Sequence, residues 1–262
     1  MYKIFSLLLL SLAFSNQTLA QDFEVGPVKM MFSCEGGQIE TKMLMVRNHA
    51  TEKQQFVLTL GMPNDTIGQK NKIKIERSCK DWITLSPAFF DLNPNESKEI
   101  KVVMQVPPGH SETRWCDLYV VATEEQSSIG ADKQTRAGVK VRPRITVKIF
   151  QSPKSNSNYK GRISDLKEIS KAKDTLRTFQ VNISNIGDKL LDGKVYLIAS
   201  NLETAKEIKN TPKLISVLPG EIKQVPIDLP RNIPSGKYSL AAILDYGNNS
   251  SLEAVQINIE VK

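Results

Sequence analysis

The chain has 262 residues, with 35 Lys and Arg against 28 Asp and Glu, for a formal charge of +7. At 40% apolar and 24% charged residues it is neither a disordered nor a fibrous polypeptide, and it is long enough for two ordinary domains with their own cores. Two His and three Cys, far apart in sequence, argue against a multi-metal enzyme or a dense redox protein.

Residues 1–20 read as a secretory signal: Lys3 is the positive start, 4–14 an apolar run, and Thr18-Leu19-Ala20 places small residues ahead of a cut before Gln21. The run is shorter than the ~20 apolar residues a spanning helix needs, and no later stretch is more apolar. The expectation is an exported protein without a membrane span, periplasmic or else secreted or at the cell surface, with access to disulfide chemistry.

From Phe23 onward the apolar residues recur with period two, and no amphipathic helix of three turns is evident. Strands are predicted at 23–33, 39–47, 55–61, 72–75, 82–90, 98–106, 114–123 and 138–150. Turn signals divide them, among them Glu35-Gly36-Gly37, Met62-Pro63-Asn64-Asp65, Asn93-Pro94-Asn95 and Pro107-Pro108-Gly109. That density of short strands predicts an immunoglobulin-like sandwich over 21–151. The polar, Ser/Asn-rich stretch 152–161 reads as a linker. Strands at 163–169, 175–184, 191–200, 213–217, 222–229, 237–246 and 252–261 then predict a second sandwich over 162–262. The fold class is all-β, two tandem immunoglobulin-like β-sandwiches.

One run is too particular for a generic strand pair. Trp82-Ile83-Thr84-Leu85-Ser86-Pro87, then Phe90-Asp91-Leu92-Asn93-Pro94, then KEIKVVMQV at 98–106 resembles the D–E strand pair of the periplasmic pilus-chaperone (PapD-like) family. Pro87 bends a strand at a sheet edge, Leu92 plugs the end of the sandwich and Pro94 starts the turn. VKMMF at 28–32 with Gly36-Gly37 resembles that family's opening strands, and VKIFQSP at 147–153 its last strand running into the hinge. In the second half, Val181-Asn182-Ile183-Ser184-Asn185-Ile186-Gly187, Leu218-Pro219-Gly220 and Ile233-Pro234-Ser235-Gly236-Lys237-Tyr238 resemble bacterial adhesion-type and fibronectin-like modules, a likeness of fold and not of activity.

The chaperone resemblance implies a non-enzymatic protein whose partner is a polypeptide client. A client's terminal carboxylate would be held between a basic residue of the first strand, here Lys29, and one of the last strand, here Lys148. The last strand would pair with the client's open sheet along Val139, Val141, Ile145, Val147 and Ile149. Two departures bear on this: Lys29 stands where the family has an Arg fork, and Pro143 removes a donor from any added ladder. Both features also have plain readings, the lysines as solvated charges and the basic row beside Pro143 as protection of an edge. A structural or adaptor subunit of an envelope assembly is the alternative function.

An odd set of exported cysteines, Cys34, Cys79 and Cys116, implies one disulfide and one remaining thiol, the pair being undetermined. In a sandwich all three fall near one pole, where His110 could complete a four-ligand zinc site, although no pair has the short spacing usual for zinc. Trp82 and Trp115 read as sandwich plugs, with an exposed sugar platform as the other option. With only His49 and His110 in the chain there is no Ser/His/Asp or Cys/His triad, and no phosphate loop or aromatic-interleaved basic patch is present. No enzyme activity, cofactor, metal, small-molecule substrate or nucleic acid is expected.

Overall fold

The computed structural model describes residues 22–62, 77–123, 143–171, 173–230, 232–247 and 252–261. The predicted signal segment, the strand at 72–75, Val139 and Val141 lie outside them.

The first sandwich is built from β1 (Phe23–Gly26), β2 (Lys29–Phe32), β3 (Ile39–Asn48), β4 (Gln54–Gly61), β5 (Ile83–Ser86), β6 (Phe89–Leu92), β7 (Ser97–Gln105), β8 (Arg114–Thr123) and β9 (Arg144–Gln151). One sheet runs β1-β3-β7-β5 and the other β2-β9-β8-β4-β6. This is the immunoglobulin division of strands, ABED against GFC. Two predicted strands prove to be pairs. The run at 23–33 breaks at Pro27, so β1 pairs with β3 in one sheet while β2 crosses to pair in parallel with β9 in the other. The run at 82–90 breaks at Pro87, leaving β5 on β7 and β6 on β4. In both places a proline, with no N–H for the ladder, sits where the chain changes sheets.

Alternation does the rest. Leu44 and Val46 of β3, Ile100, Val102 and Met104 of β7, and Leu118 and Val120 of β8 point inward and are fully buried, while Met43 and Met45 stay partly exposed. Through the middle, Phe23 meets Phe56 edge to face at a centroid separation of 5.3 Å, and Phe56 stacks on Phe90 at 5.6 Å. Burying each such side chain contributes about 1.5–3 kcal/mol, and their contiguity makes one core.

The second sandwich contains β10 (Gly161–Glu168), β11 (Leu176–Asn185), β12 (Leu191–Asn201), β13 (Glu207–Lys209), β14 (Lys213–Val217), β15 (Ile222–Pro230), β16 (Gly236–Asp245) and β17 (Glu253–Val261). Its sheets are β10-β11-β15 and β13-β12-β16-β17, with β14 also on β12. The short β13 was not anticipated, having only Ile208 as an apolar residue. Tyr238, buried at the start of β16, donates from Oη to the Pro234 carbonyl at 2.8 Å, closing a tyrosine corner over the Pro234-Ser235-Gly236 turn.

The two halves share one device. Asn48 ends β3 and Asn185 ends β11, and both are buried. Asn48 Nδ2 donates to the carbonyls of Glu52, Leu92 and Asn93, and its Oδ1 accepts from the Ala50 N–H. Asn185 Nδ2 donates to Lys189 and Val217, and its Oδ1 accepts from the Gly187 N–H. Each amide satisfies main-chain groups at a strand end, the Leu92 and Val217 carbonyls among them being buried.

Candidate functional site between the two sandwiches

Lys29 and Lys148, far apart in sequence, are register partners where β2 runs parallel to β9. Their neighbours Met30, Phe32, Val147 and Ile149 turn into the core, so both lysines emerge on the outer face of the sheet, on strands ~4.8 Å apart. Lys29 Nζ lies 2.6 Å from Asp192 Oδ2 of the second sandwich and 5.4 Å from the centre of the Phe150 ring. Lys148 Nζ lies 3.7 Å from Asp117 Oδ1 on β8. Asp117 is only 5% exposed, and burial pushes its carboxyl above the ordinary carboxylate range while Lys148 pulls it back. Two ammonium groups thus stand side by side at the domain junction, each facing a carboxylate of the same chain.

β9 is an edge for only part of its length. Odd positions bond to β8, as the Ala122 N–H donating to the Pro143 carbonyl shows, and the N–H groups of Lys148 and Ser152 donate the other way, to Val28 and Phe32. The alternation aims the main-chain groups of Arg144 and Thr146 to that same outer side. Among the described residues no strand pairs there, because β2 reaches only Lys148–Gln151. This shortens the expected edge. Ile149 lies between Met30 of β2 and Cys116 of β8, and its side chain and that of Val147 are fully buried in their own core; Ile145 is half-buried. What the described part of β9 presents is main chain at 144–147. The Arg144 guanidinium lies over the Tyr119 ring, 4.5 Å from its centre.

Beside the lysines the sandwiches share a small apolar cluster of Trp115, Phe150 and Leu190, with Leu218 packed on it. The Trp115 indole N–H is buried without a hydrogen-bond partner among the described residues. A polar cluster flanks it. Asp188, on the turn after β11, accepts from the Arg77 guanidinium, from the Thr113 N–H at 2.9 Å and from Asn156 Nδ2 in the linker. Lys189 Nζ donates to the Pro153 carbonyl at 3.0 Å, and burial lowers its ammonium pKa against the pull of Glu35 and Asp188. Glu35 accepts from both the N–H and the hydroxyl of Ser155. Sequence reasoning missed Arg77, Asp117, Asp188 and Asp192. Asn185-Ile186-Gly187 followed by Asp188 reads from sequence as a turn between the strands at 175–184 and 191–200, but nothing in it announces what the aspartate faces.

Of the three cysteines the structure brings two together. Cys79 Sγ lies 3.5 Å from Cys116 Sγ, both buried, and all three thiols are free. Cys34 is held apart from that contact, its N–H donating to Glu40 Oε2 and its carbonyl accepting from Gln151 Nε2. Among the described residues no group of three or more His, Cys, Asp or Glu could hold a metal ion; His110 lies 4.9 Å from the Trp82 ring instead. Trp82 is half-buried under the Arg114 guanidinium, 4.8 Å from its ring centre, and Trp115 is inside the interface, so the two do not form one exposed platform. Among the described residues no helix is long and apolar enough to cross a membrane.

The chain matches no protein-family model and no curated protein. Solved structures do match it. The E. coli chaperone DraB is 12% identical, over 90% of this chain and 98% of its own, with a TM-score of 0.46. The Salmonella enterica SafA pilin–SafB chaperone complex gives 12% identity, 92% and 98% coverage and 0.46. The Acinetobacter baumannii CsuC–CsuE chaperone–tip subunit pre-assembly complex gives 12%, 91%, 98% and 0.46. Across both sandwiches the chain is similar to solved pilus chaperones.

Proposed function

We propose that this is an exported, non-enzymatic chaperone-like protein of the periplasm that binds a client polypeptide by strand addition. The open main-chain edge of β9 at Arg144–Val147 would take the client strand, and Lys29 with Lys148 would hold its terminal carboxylate. The observation that carries this is the register pairing of the two lysines at the domain junction, at the first residue of β9 that β2 covers and directly after the open stretch 144–147. An extended chain added at Thr146 and continuing along the edge runs into those two ammonium groups. Carboxylate capture there combines charge with hydrogen bonding, the stronger kind of polar contact, while backbone pairing supplies affinity without a demand for one sequence.

A second reading, a structural or adaptor subunit of an envelope assembly, draws support from the salt bridge of Lys29 with Asp192, which makes that lysine a tie between the sandwiches. The two readings part in one experiment. A photo-crosslinking side chain at Thr146 in the exported chain captures the bound polypeptide in cells, and peptides of its C-terminus are then titrated as free acid and as amide. Strand addition with carboxylate capture predicts roughly tenfold weaker binding of the amide, and the same loss for Lys29→Glu with Lys148→Glu. Equal binding of acid and amide rejects the carboxylate site in favour of the adaptor.

A further inference from the structure

We infer that Cys79 and Cys116 are the pair that closes into a disulfide, and that the bond fixes the segment carrying Arg77 onto β8 at the domain junction. Three observations meet here. The sulfurs are already in contact at 3.5 Å, with both side chains inside the first core and the two cysteines 37 positions apart in sequence. The main chain is paired at the same place: Cys79 N–H donates to the Trp115 carbonyl, Trp115 N–H donates to the Arg77 carbonyl, and Ser78 bridges Trp115 in parallel. The ladder between β4 and β8 ends at Gly61 opposite Asp117, so 77–79 takes over beside β8 where β4 stops. The third is what the segment does. Arg77 reaches across to Asp188 of the second sandwich, so a covalent tie one residue from Ser78 holds the residue that joins the two domains.

The chemistry is a thiol–disulfide exchange with a low-molecular-weight disulfide of the glutathione kind. One cysteine thiolate attacks it, releasing a thiol and forming a mixed disulfide; the second thiolate attacks the protein sulfur of that intermediate and releases the other thiol. Two electrons and two protons leave the protein with the two thiols. The hydrogen bond with Cys116 and burial push the Cys79 thiol well up in the folded, reduced protein, which disfavours the thiolate. Closure therefore belongs to folding, before the core shuts over the pair, and the finished bond is shielded from reductant. Cys34 is left as the single thiol. The inference stands apart from client binding and needs only an oxidising compartment.

The test is to refold the full chain from denaturant in a glutathione redox buffer, alkylate under denaturing conditions and map the peptides. The expected result is one alkylated residue, Cys34, with Cys79 joined to Cys116. Three alkylated cysteines, or Cys34 joined to either partner, overturn the inference. In a Cys34→Ala background, protein refolded in the glutathione buffer and protein reduced in denaturant and refolded in dithiothreitol should differ in unfolding midpoint by on the order of 10 °C. Equal midpoints would overturn the claim that the bond fixes this segment. The mapping on the natural chain decides the pairing even where a Cys79→Ala, Cys116→Ala variant fails to fold.

Discussion

Asp188→Ala removes the acceptor at the centre of the polar contact between the sandwiches. The carboxylate takes the Arg77 guanidinium on one oxygen and the Thr113 N–H and Asn156 amide on the other. Its side chain is 16% exposed and that of Arg77 25%, so solvent screens the pair only in part. Hydrogen bonds to charged groups contribute about 1.5–3 kcal/mol each when buried, less when wet, and an orphaned buried N–H costs about 1–3 kcal/mol. Thr113 is fully buried, so its N–H cannot turn to water. Discounting the Asn156 and Arg77 contacts for exposure leaves a loss of about 3 kcal/mol. Urea unfolding followed by tryptophan emission, with Trp115 in the interface, should show the midpoint falling by about 1 M at the slopes usual for chains of this size. The double variant with Arg77→Ala should lose less than the sum of the two single losses. A midpoint shift worth under about 0.5 kcal/mol for Asp188→Ala would refute the claim that this cluster joins the domains.

Three further outcomes follow from the same face and its surroundings. Burial raises the folded-state pKa of Asp117 above its ordinary 3.8, so the folded protein holds that proton more tightly than the unfolded one. Stability contributed by this group is then present at low pH and lost as pH rises from about 3.8 through the raised value; Asp117→Asn should flatten that slope in stability measured against pH, and parallel curves would count against it. Gly187→Ala would place a Cβ 2.5 Å from the Asn158 carbonyl oxygen and 2.6 Å from the Lys160 nitrogen, both main chain and unable to rotate aside. It should cost about 1–3 kcal/mol. Gly161→Ala, which meets the Leu191 Cδ1 at 2.6 Å, can be relieved in part by a rotamer change and should cost less when the two variants are compared by thermal melting.

The strands were legible because their inward positions recur with period two: 114–123 and 213–217 were bounded from sequence as they occur, with Cys116, Leu118, Val120 and Ala122, and Ile215 and Val217, turned into the cores. The sheet changes at Pro27 and Pro87 were harder, because the apolar alternation runs on either side of the proline and period two does not say which sheet a residue faces. Lys29 and Lys148 could be named only through a resemblance, and their pairing depends on the parallel register of β2 on β9, which no local pattern encodes. The length of the open edge was misjudged for the same reason: alternation reports inside against outside, and is silent on what lies alongside. Asp188 and Asp192 were out of reach, being ordinary turn and strand aspartates until the second sandwich places them against the first.

The buried amides that end β3 and β11 also bear on how the chain avoids misthreading. A slip of one residue would carry Asn48 or Asn185 away from its carbonyls and leave a desolvated amide against hydrocarbon, a penalty larger than most single contacts supply. An apolar residue at either place would leave those carbonyls and the N–H without their partner and would no longer mark one alignment from its neighbours. Each half of the molecule therefore carries its own ratchet tooth, which gives the sandwiches a single frame of reference before they meet at Asp188.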